Sequence, residues 1–385
     1  MSYPSKKLEE VCKITMGQAP EGDSYNTDNE GLALIAGAGD FGEKFPKPKK
    51  YTTKPSKKSE KGEIILCIRA TIGDVNISDK EYCLGRGVAG LVADEKELNQ
   101  FYLWHWLKFS ANYLKSKGKG ATFLQVTKQD IASLEIPLPP LSEQKRIAEI
   151  LDKADELRQK RQQSIEKLDE LLQATFIDMF GDPLTNQKNW EISKLVNEIE
   201  LIQIGPFGTQ LHQEDYVENS IPLINPSHIR NGKIFPDNKL TVSEEKYHQL
   251  PQYHMKTNDV IVGRRGEMGR CAVVTERENG YFCGTGSLFL RMNEKNLNAT
   301  FLSFILSSNS IKKLLENSSQ GVTMANLNKK IVSEIPLIMP NIDLQSKFGE
   351  FVDSINLQKQ RLKVQSKQQE NLFQSLQQRA FNGEL

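Results

Sequence analysis

The residues of this chain best equipped for chemistry are cations beside glycine-bounded turns. Gly263-Arg264-Arg265-Gly266-Glu267-Met268-Gly269-Arg270 gathers three guanidinium groups in one stretch, and Arg69 precedes a second turn, Ala70-Thr71-Ile72-Gly73. Lys117 and Lys119 sit in the glycine-rich loop 115–120, and Gln320 lies in its counterpart, 318–321. Lys128 and Lys329 open two short segments further on. Lysine and arginine suit phosphate, while Arg, Lys, Asn and Gln suit the base edges of a major groove. Glycine turns let a backbone approach a ligand closely. All nine residues are therefore candidate DNA contacts. Alternatives stand beside them: Arg69 can pair with a carboxylate such as Asp74, and the two loops can be solvated turns. The lysine run at 44–61, with Phe45 and Tyr51 among its cations, suits phosphate steering or plain solubility.

Catalytic motifs fare worse. Phe282-Cys283-Gly284-Thr285-Gly286 fits FxGxG, a phrase of S-adenosylmethionine sites, and Asn225-Pro226-Ser227-His228 partly fits an amino-methyltransferase motif. A nucleotide-type glycine loop should open a helix, yet Ser287 to Met292 has a strand pattern. The 225–228 motif lacks its second proline and its aromatic residue. Pro236-Asp237 with Glu244-Glu245-Lys246 fits a metal-dependent nuclease pattern, but it is short and the first half of the chain has nothing like it. His248 and His254 have no cysteine pair with which to hold zinc. No GxxxxGK[ST] is present for ATP. The chain is expected to be no enzyme, with no metal or cofactor of its own.

These residues are positioned by a repeated architecture. Pro137-Leu138-Pro139-Pro140 brakes the chain, Ser142 stands as an expected N-cap, and apolar residues follow at three-and-four spacing from Ile147 through Leu151, Leu157, Ile165 and Leu172 to Phe176. Gly181-Asp182-Pro183 ends the segment. Such a helix would run about 55 Å. The pattern returns at the C-terminus: Ile335-Pro336-Leu337 repeats Ile136-Pro137-Leu138, Pro340 and Asn341 act as brake and cap, and Asn382-Gly383 ends the second helix. Each helix has a polar interruption, 158–164 and 365–369, which suits either a register device within a coiled coil or a solvated face.

Each long helix follows a globule, and the globules share an order of elements. Asp259 through Gly269 matches Glu63 through Gly73 without a gap, Tyr281 to Gly286 matches Tyr82 to Gly87, and Phe301 to Leu315 matches the helix from Phe101. A repeat of this length signals duplicated domains. The expected division is 1–137, a first globule; 138–183, a helical spacer; 184–336, a second globule; and 337–385, a second helical spacer.

Length and composition agree. The 385 residues, 38% hydrophobic and 26% charged, suit a soluble protein of two or three domains. A net charge of +1 makes local patches the only electrostatic sign of a nucleic-acid partner. Five scattered cysteines, without an apolar leader or an 18-residue apolar run, favour reduced thiols in a cytoplasmic protein without a membrane span.

The phrases IPLPPLSEQKRIAEILDKAD at 136–155, GDP after the first helix, GRRGEMGR at 263–270 and QRAFNGEL at 378–385 resemble the specificity subunits of type I restriction-modification enzymes. The resemblance spans the whole chain and is most specific in the helices. It implies an α+β fold: two similar target-recognition domains separated by two long antiparallel helices forming a coiled coil, with internal pseudo-two-fold symmetry. It also implies recognition of a split, asymmetric double-stranded DNA site. The expected partners are two methyltransferase subunits and, where the system has them, restriction (motor) subunits. S-adenosylmethionine, ATP and magnesium are then expected on those partners. Two unlike globules on a rigid spacer suit two unlike half-sites at fixed separation. The competing reading is a duplicated scaffold that binds proteins without DNA specificity.

Overall fold

The computed structural model describes residues 3–120, 123–208, 210–318 and 326–385, so the expected contact Gln320 lies outside the described residues. The chain forms two compact units, Met1–Gln163 with Lys363–Leu385, and Ser164–Leu362. Two long helices, Leu141–Phe180 and Ile342–Asn382, contribute to both. Each ends where a glycine takes a left-handed conformation, Gly181 at φ 77° and Gly383 at φ 78°.

In the first unit, Cys12–Met16, Val88–Ala93, Ile64–Cys67 and Val75–Ile77 form an antiparallel four-stranded sheet in that order. The helix Gln100–Ser116 joins its core, started by Asn99, whose side chain accepts from the amides of Phe101 and Tyr102. Strand alternation splits Ile64–Cys67 between two cores. Ile64 and Leu66 pack with Tyr102, Leu107, Ile147, Leu151 and Phe381, while Ile65 packs with Ile35, Tyr82 and Leu84 of a second, mixed sheet. That sheet includes Lys50–Thr52 and Lys58–Ser59. The lysine run at 44–61 is therefore partly strand. Its lysines have weak strand preference although Tyr51 and Thr52 favour strands, and pairing to Leu32–Ile35 and Tyr82–Leu84 holds both segments there.

The second unit repeats this plan. Ile199–Ile204, Ser287–Met292, Val260–Gly263 and Cys271–Val273 form its main sheet. Val260 and Val262 face one core and Ile261 the other. Leu223–Ile224 pair in parallel with Phe282–Cys283, as Leu34–Ile35 do with Cys83–Leu84. One expectation changes. The segment matching the helix from Phe101 is two helices, Ala299–Ser307 and Asn309–Ser318. Ser308 takes an extended conformation between them, and its hydroxyl accepts from the Ile311 amide, which starts the second helix.

Each unit holds the start of one long helix and the end of the other. In the first, Arg146 donates to the Leu385 carbonyl oxygen, Arg158 pairs with Glu370, and Arg161 donates to Gln365. Rising numbers on one helix meet falling numbers on the other, so the segments are antiparallel. The second unit agrees: Asp169 pairs with Lys359, while Phe176 and Phe180 meet Phe348 at ring-centroid distances of 5.5 Å. In the first unit, the polar interruptions thus form contacts from helix to helix. Arg158 also bonds Asp155 and lies 4.5 Å from the Phe373 ring centroid. The cap expected at Ser142 is displaced: the helix already starts at Leu141, and the Pro140 carbonyl accepts from the amides of Glu143 and Gln144. Asn341 does cap its helix, accepting from the Asp343 amide.

Candidate nucleic-acid interface

The first unit brings its predicted cations to one edge. Ile64–Cys67 leads to Ile68 in the core, and the chain then turns out through Arg69 and Ala70, the latter at φ 63°. Arg69 is bridged to Gln125, flanked by hydrogen bonds from the Ala70 amide to the Leu124 carbonyl and from the Val126 amide to the Ile68 carbonyl, each 3.1 Å. Gln125 is bridged on its other side to Lys119, with amide–carbonyl bonds of 2.9 and 3.0 Å in both directions. Lys117 ends the helix Gln100–Ser116 and lies over the Tyr113 ring. Lys128 is exposed at the start of the helix Lys128–Ala132, which Thr127 caps. Hydrogen bonds from the Thr127 side chain and backbone, with the charges of Lys119 and Lys117, hold the Asp130 carboxyl below its ordinary range. Among the described residues the Arg69 side chain has no ion pair, so the Asp74 pairing is not formed. Phe123, exposed by 60%, and Leu124 project from the same edge.

In the second unit the three arginines separate. Arg265 occupies the position of Arg69: it is exposed, precedes a positive-φ residue, Gly266 at 81°, and is bridged to Asn326. Arg264 aligns with Ile68 and, contrary to its expected role as a DNA contact, is buried; its Nε donates to the Leu327 carbonyl at 2.8 Å. Burial, aided by the Arg265 charge, lowers its pKa. The guanidinium of Arg270 is likewise engaged, donating to Glu267 at 2.8 Å and to the Pro226 carbonyl at 3.1 Å, so it braces the turn. The hydrogen bond to Glu267 is the main reason that carboxyl is held low, with Lys312 adding to it. Lys329 is exposed where its short helix starts, capped by Asn328.

Strand alternation was the available signal for this inside–outside order, since Ile68 and Arg264 follow buried strands in register. Gln125 and Asn326 were not expected as site residues. They become visible only through the bridges that set them beside Arg69 and Arg265.

The catalytic motifs resolve into packing. Phe282-Cys283-Gly284-Thr285-Gly286 leads from one strand to another, as its sequence context indicated. A Cβ on Gly284 would come within 2.4 Å of Asn225 Oδ1, and one on Gly286 within 2.9 Å of Pro226 Cδ. Those glycines thus admit the turn at 225–226, whose Asn225 accepts from the Gly286 amide. Lys246 pairs with Asp215, and Asp237 accepts from the Lys239 amide. His254 bonds the Tyr247 carbonyl. Among the described residues no group of three or more His, Cys, Asp or Glu could hold a metal. Burial pushes the thiols of Cys12 and Cys271 up to about 12, where they are protonated and unreactive. Among the described residues no helix is long and apolar enough to cross a membrane.

Comparison with known proteins places this geometry. The family model described as "Type I restriction modification DNA specificity domain" matches residues 3–167 and again 187–369. Over 162 residues the chain is 40% identical to the chain named as the MjaX specificity subunit of Methanocaldococcus jannaschii, a match covering 41% of this chain and 38% of that one. It is 25% identical over 326 residues to the type I restriction enzyme MjaVIII specificity subunit of the same organism, covering 80% of this chain and 75% of that one. Its fold is similar to the crystal structure of a type I restriction-modification S subunit from M. genitalium, with TM-score 0.58, 19% identity, and coverage of 99% and 96%.

Proposed function

Since the chain belongs to the type I restriction modification DNA specificity domain family, matched twice along its length, we propose that it reads a bipartite, asymmetric DNA site, one half-site per unit. The observation that carries this is the recurrence of one edge in both units: an arginine without an ion pair among the described residues, set at a left-handed turn, Arg69 before Ala70 and Arg265 before Gly266, beside an exposed lysine that opens a capped helix. The cations suit phosphate and guanine. The residues around the two edges differ, so the half-sites differ too. The relatives' names point to the same role. The long helices are the scaffold on which two methyltransferase subunits and, where present, restriction subunits assemble. Methyl transfer and cleavage belong to those partners, which bring S-adenosylmethionine, ATP and magnesium. The division into target-recognition segments 1–137 and 184–336, with helical spacers 138–183 and 337–385, and a cytoplasmic location complete this reading.

The test is selection from random duplexes at low and high salt, with the full chain alone and co-produced with methyltransferase subunits. Enrichment of two different half-sites at one spacing is expected. Binding without sequence preference in every condition, or no binding, would favour a protein-binding scaffold and overturn the reading.

A further inference from the structure

Gln125 lies between two cations in a geometry set by the backbone alone. Its bridge to Arg69 is the pair type without direct hydrogen bonds, and its bridge to Lys119 is the hydrogen-bonded type. Directly opposed residues of an antiparallel pairing project to the same side, with Cα atoms about 4.5 Å and 5.5 Å apart in the two types. Arg69, Gln125 and Lys119 therefore form a row about 10 Å wide on one surface, which fits a major groove about 12 Å wide. Gln125 is exposed, and among the described residues its side-chain amide has no hydrogen-bond partner.

The second unit repeats the arrangement with the other amide residue. Arg265 and Asn326 are bridged, and the Leu327 amide donates to the Arg264 carbonyl at 3.0 Å, as Val126 does to Ile68. The Oδ1 of Asn326 is buried and has no partner among the described residues. Rotating the side chain toward Arg265 thus sacrifices no hydrogen bond to that oxygen, and a base amino group would satisfy it.

We propose that Gln125 and Asn326 are specificity-determining residues, each reading an adenine in the major groove beside a guanine read by Arg69 or Arg265. An amide can accept from the adenine N6 amino group while donating to N7, and arginine can donate to guanine N7 and O6. Bases of one strand step by about 3.4 Å, less than the Cα separations of about 4.5 and 5.5 Å in the row, and the long arginine and glutamine side chains converge over that difference. The proposal rests on the DNA-recognition role above and deepens it to two positions and one base type.

The experiment is target selection from randomised duplexes by the full chain co-produced with its methyltransferase subunits, comparing wild type with Gln125→Ala, Gln125→Glu and Asn326→Ala. Gln125→Ala should lose about 5- to 150-fold discrimination for adenine at one base pair of one half-site and leave the other half-site unchanged. Asn326→Ala should do the same in the other half-site. Gln125→Glu should move the preference at its position toward cytosine, whose N4 amino group a carboxylate accepts. Unaltered base preferences in all three variants, or uniform weakening across all sequences, would overturn the proposal while leaving the DNA role intact. A wild type that selects no sequence would overturn both.

Discussion

Two buried glutamines should govern the stability of the two units separately. Gln144 is 1% exposed, and its Oε1 accepts from the Asn99 amide at 2.8 Å while its Nε2 donates to the carbonyls of Glu97 and Pro139, both at 2.9 Å. Gln345, 0% exposed, does the same in the second unit: it accepts from Asn298 at 3.0 Å and donates to Asn296 at 3.1 Å and Pro340 at 2.9 Å. Each side chain ties the start of a long helix to the segment that starts the helix packed on its unit's sheet. Gln144→Ala leaves one amide and two carbonyls without these partners. At about 1–3 kcal/mol for each stranded group, softened where water enters, a loss of roughly 3 kcal/mol is expected. For a unit of this size that lowers the melting temperature by about 6–12 °C. Gln345→Ala should cost a similar amount in the other unit. Hydrogen-exchange mass spectrometry across a denaturant series resolves the two: Gln144→Ala should lower protection around 97–103 and 141–151, and Gln345→Ala around 296–302 and 342–352. Gln144→Glu adds a sign test. A carboxylate facing two carbonyls is disfavoured, so its pKa in the fold would be raised. Its stability should be greatest below the unfolded pKa, about 4.3, and fall as pH rises through the folded value. A loss below about 0.5 kcal/mol for both alanine variants, the range of ordinary surface substitutions, would refute the reasoning.

Further consequences can be checked in parallel. Lys119→Ala should flatten the slope of log affinity against log salt by about 0.9, as loss of one phosphate contact does, measured by fluorescence anisotropy. Arg265→Ala should weaken recognition of the second half-site alone, and equal loss at both half-sites would sink that placement. Burial is the leading cause of a raised Glu63 pKa, so ionised Glu63 disfavours the fold. Glu63→Gln should therefore stabilise the chain at neutral pH, by an amount that vanishes as pH falls below the carboxylate's unfolded pKa, about 4.3, in urea melts run across pH. A fragment of residues 1–183 lacks Phe373 and Phe381, which pack in the core holding Ile147 and Leu151. The end of its own helix carries Phe176 and Phe180, so two copies should pair antiparallel as a dimer; a folded monomer at micromolar concentration in ultracentrifugation would refute this.

The helices and the duplication were legible in sequence because both rest on local periodicity and on phrases long enough to recognise twice. The break at Ser308 was not, since the apolar spacing runs on across it and only the extended backbone shows two helices. The lysine-rich strands escaped for the opposite reason: their pairing comes from distant partners, and their own residues suggest a loop. Gln144 and Gln345 were hidden in plain view. Each is the fourth residue of a long helix, a place that reads as polar surface, and only the fold reveals a buried amide.

The candidate site shows the same limit more sharply, because one residue of register decides a role. Cys67 and Gly263 close equivalent strands, Ile68 and Arg264 come next, and both point inward. Sequence alone offers Arg264 and Arg265 as equals, since both are cations in a glycine-rich stretch. The fold separates them, because a strand sends successive side chains to opposite faces. The inner one must then be satisfied within the protein, and the Leu327 carbonyl does this for Arg264 Nε. That bond is itself part of the edge: Leu327 follows Asn326, whose bridge to Arg265 presents the outer arginine. Where the first unit uses the apolar bulk of Ile68 to seat its edge, the second uses a guanidinium hydrogen-bonded to the adjoining segment. Duplication has thus preserved the outward arginine and its amide neighbour while the support beneath them changed chemistry.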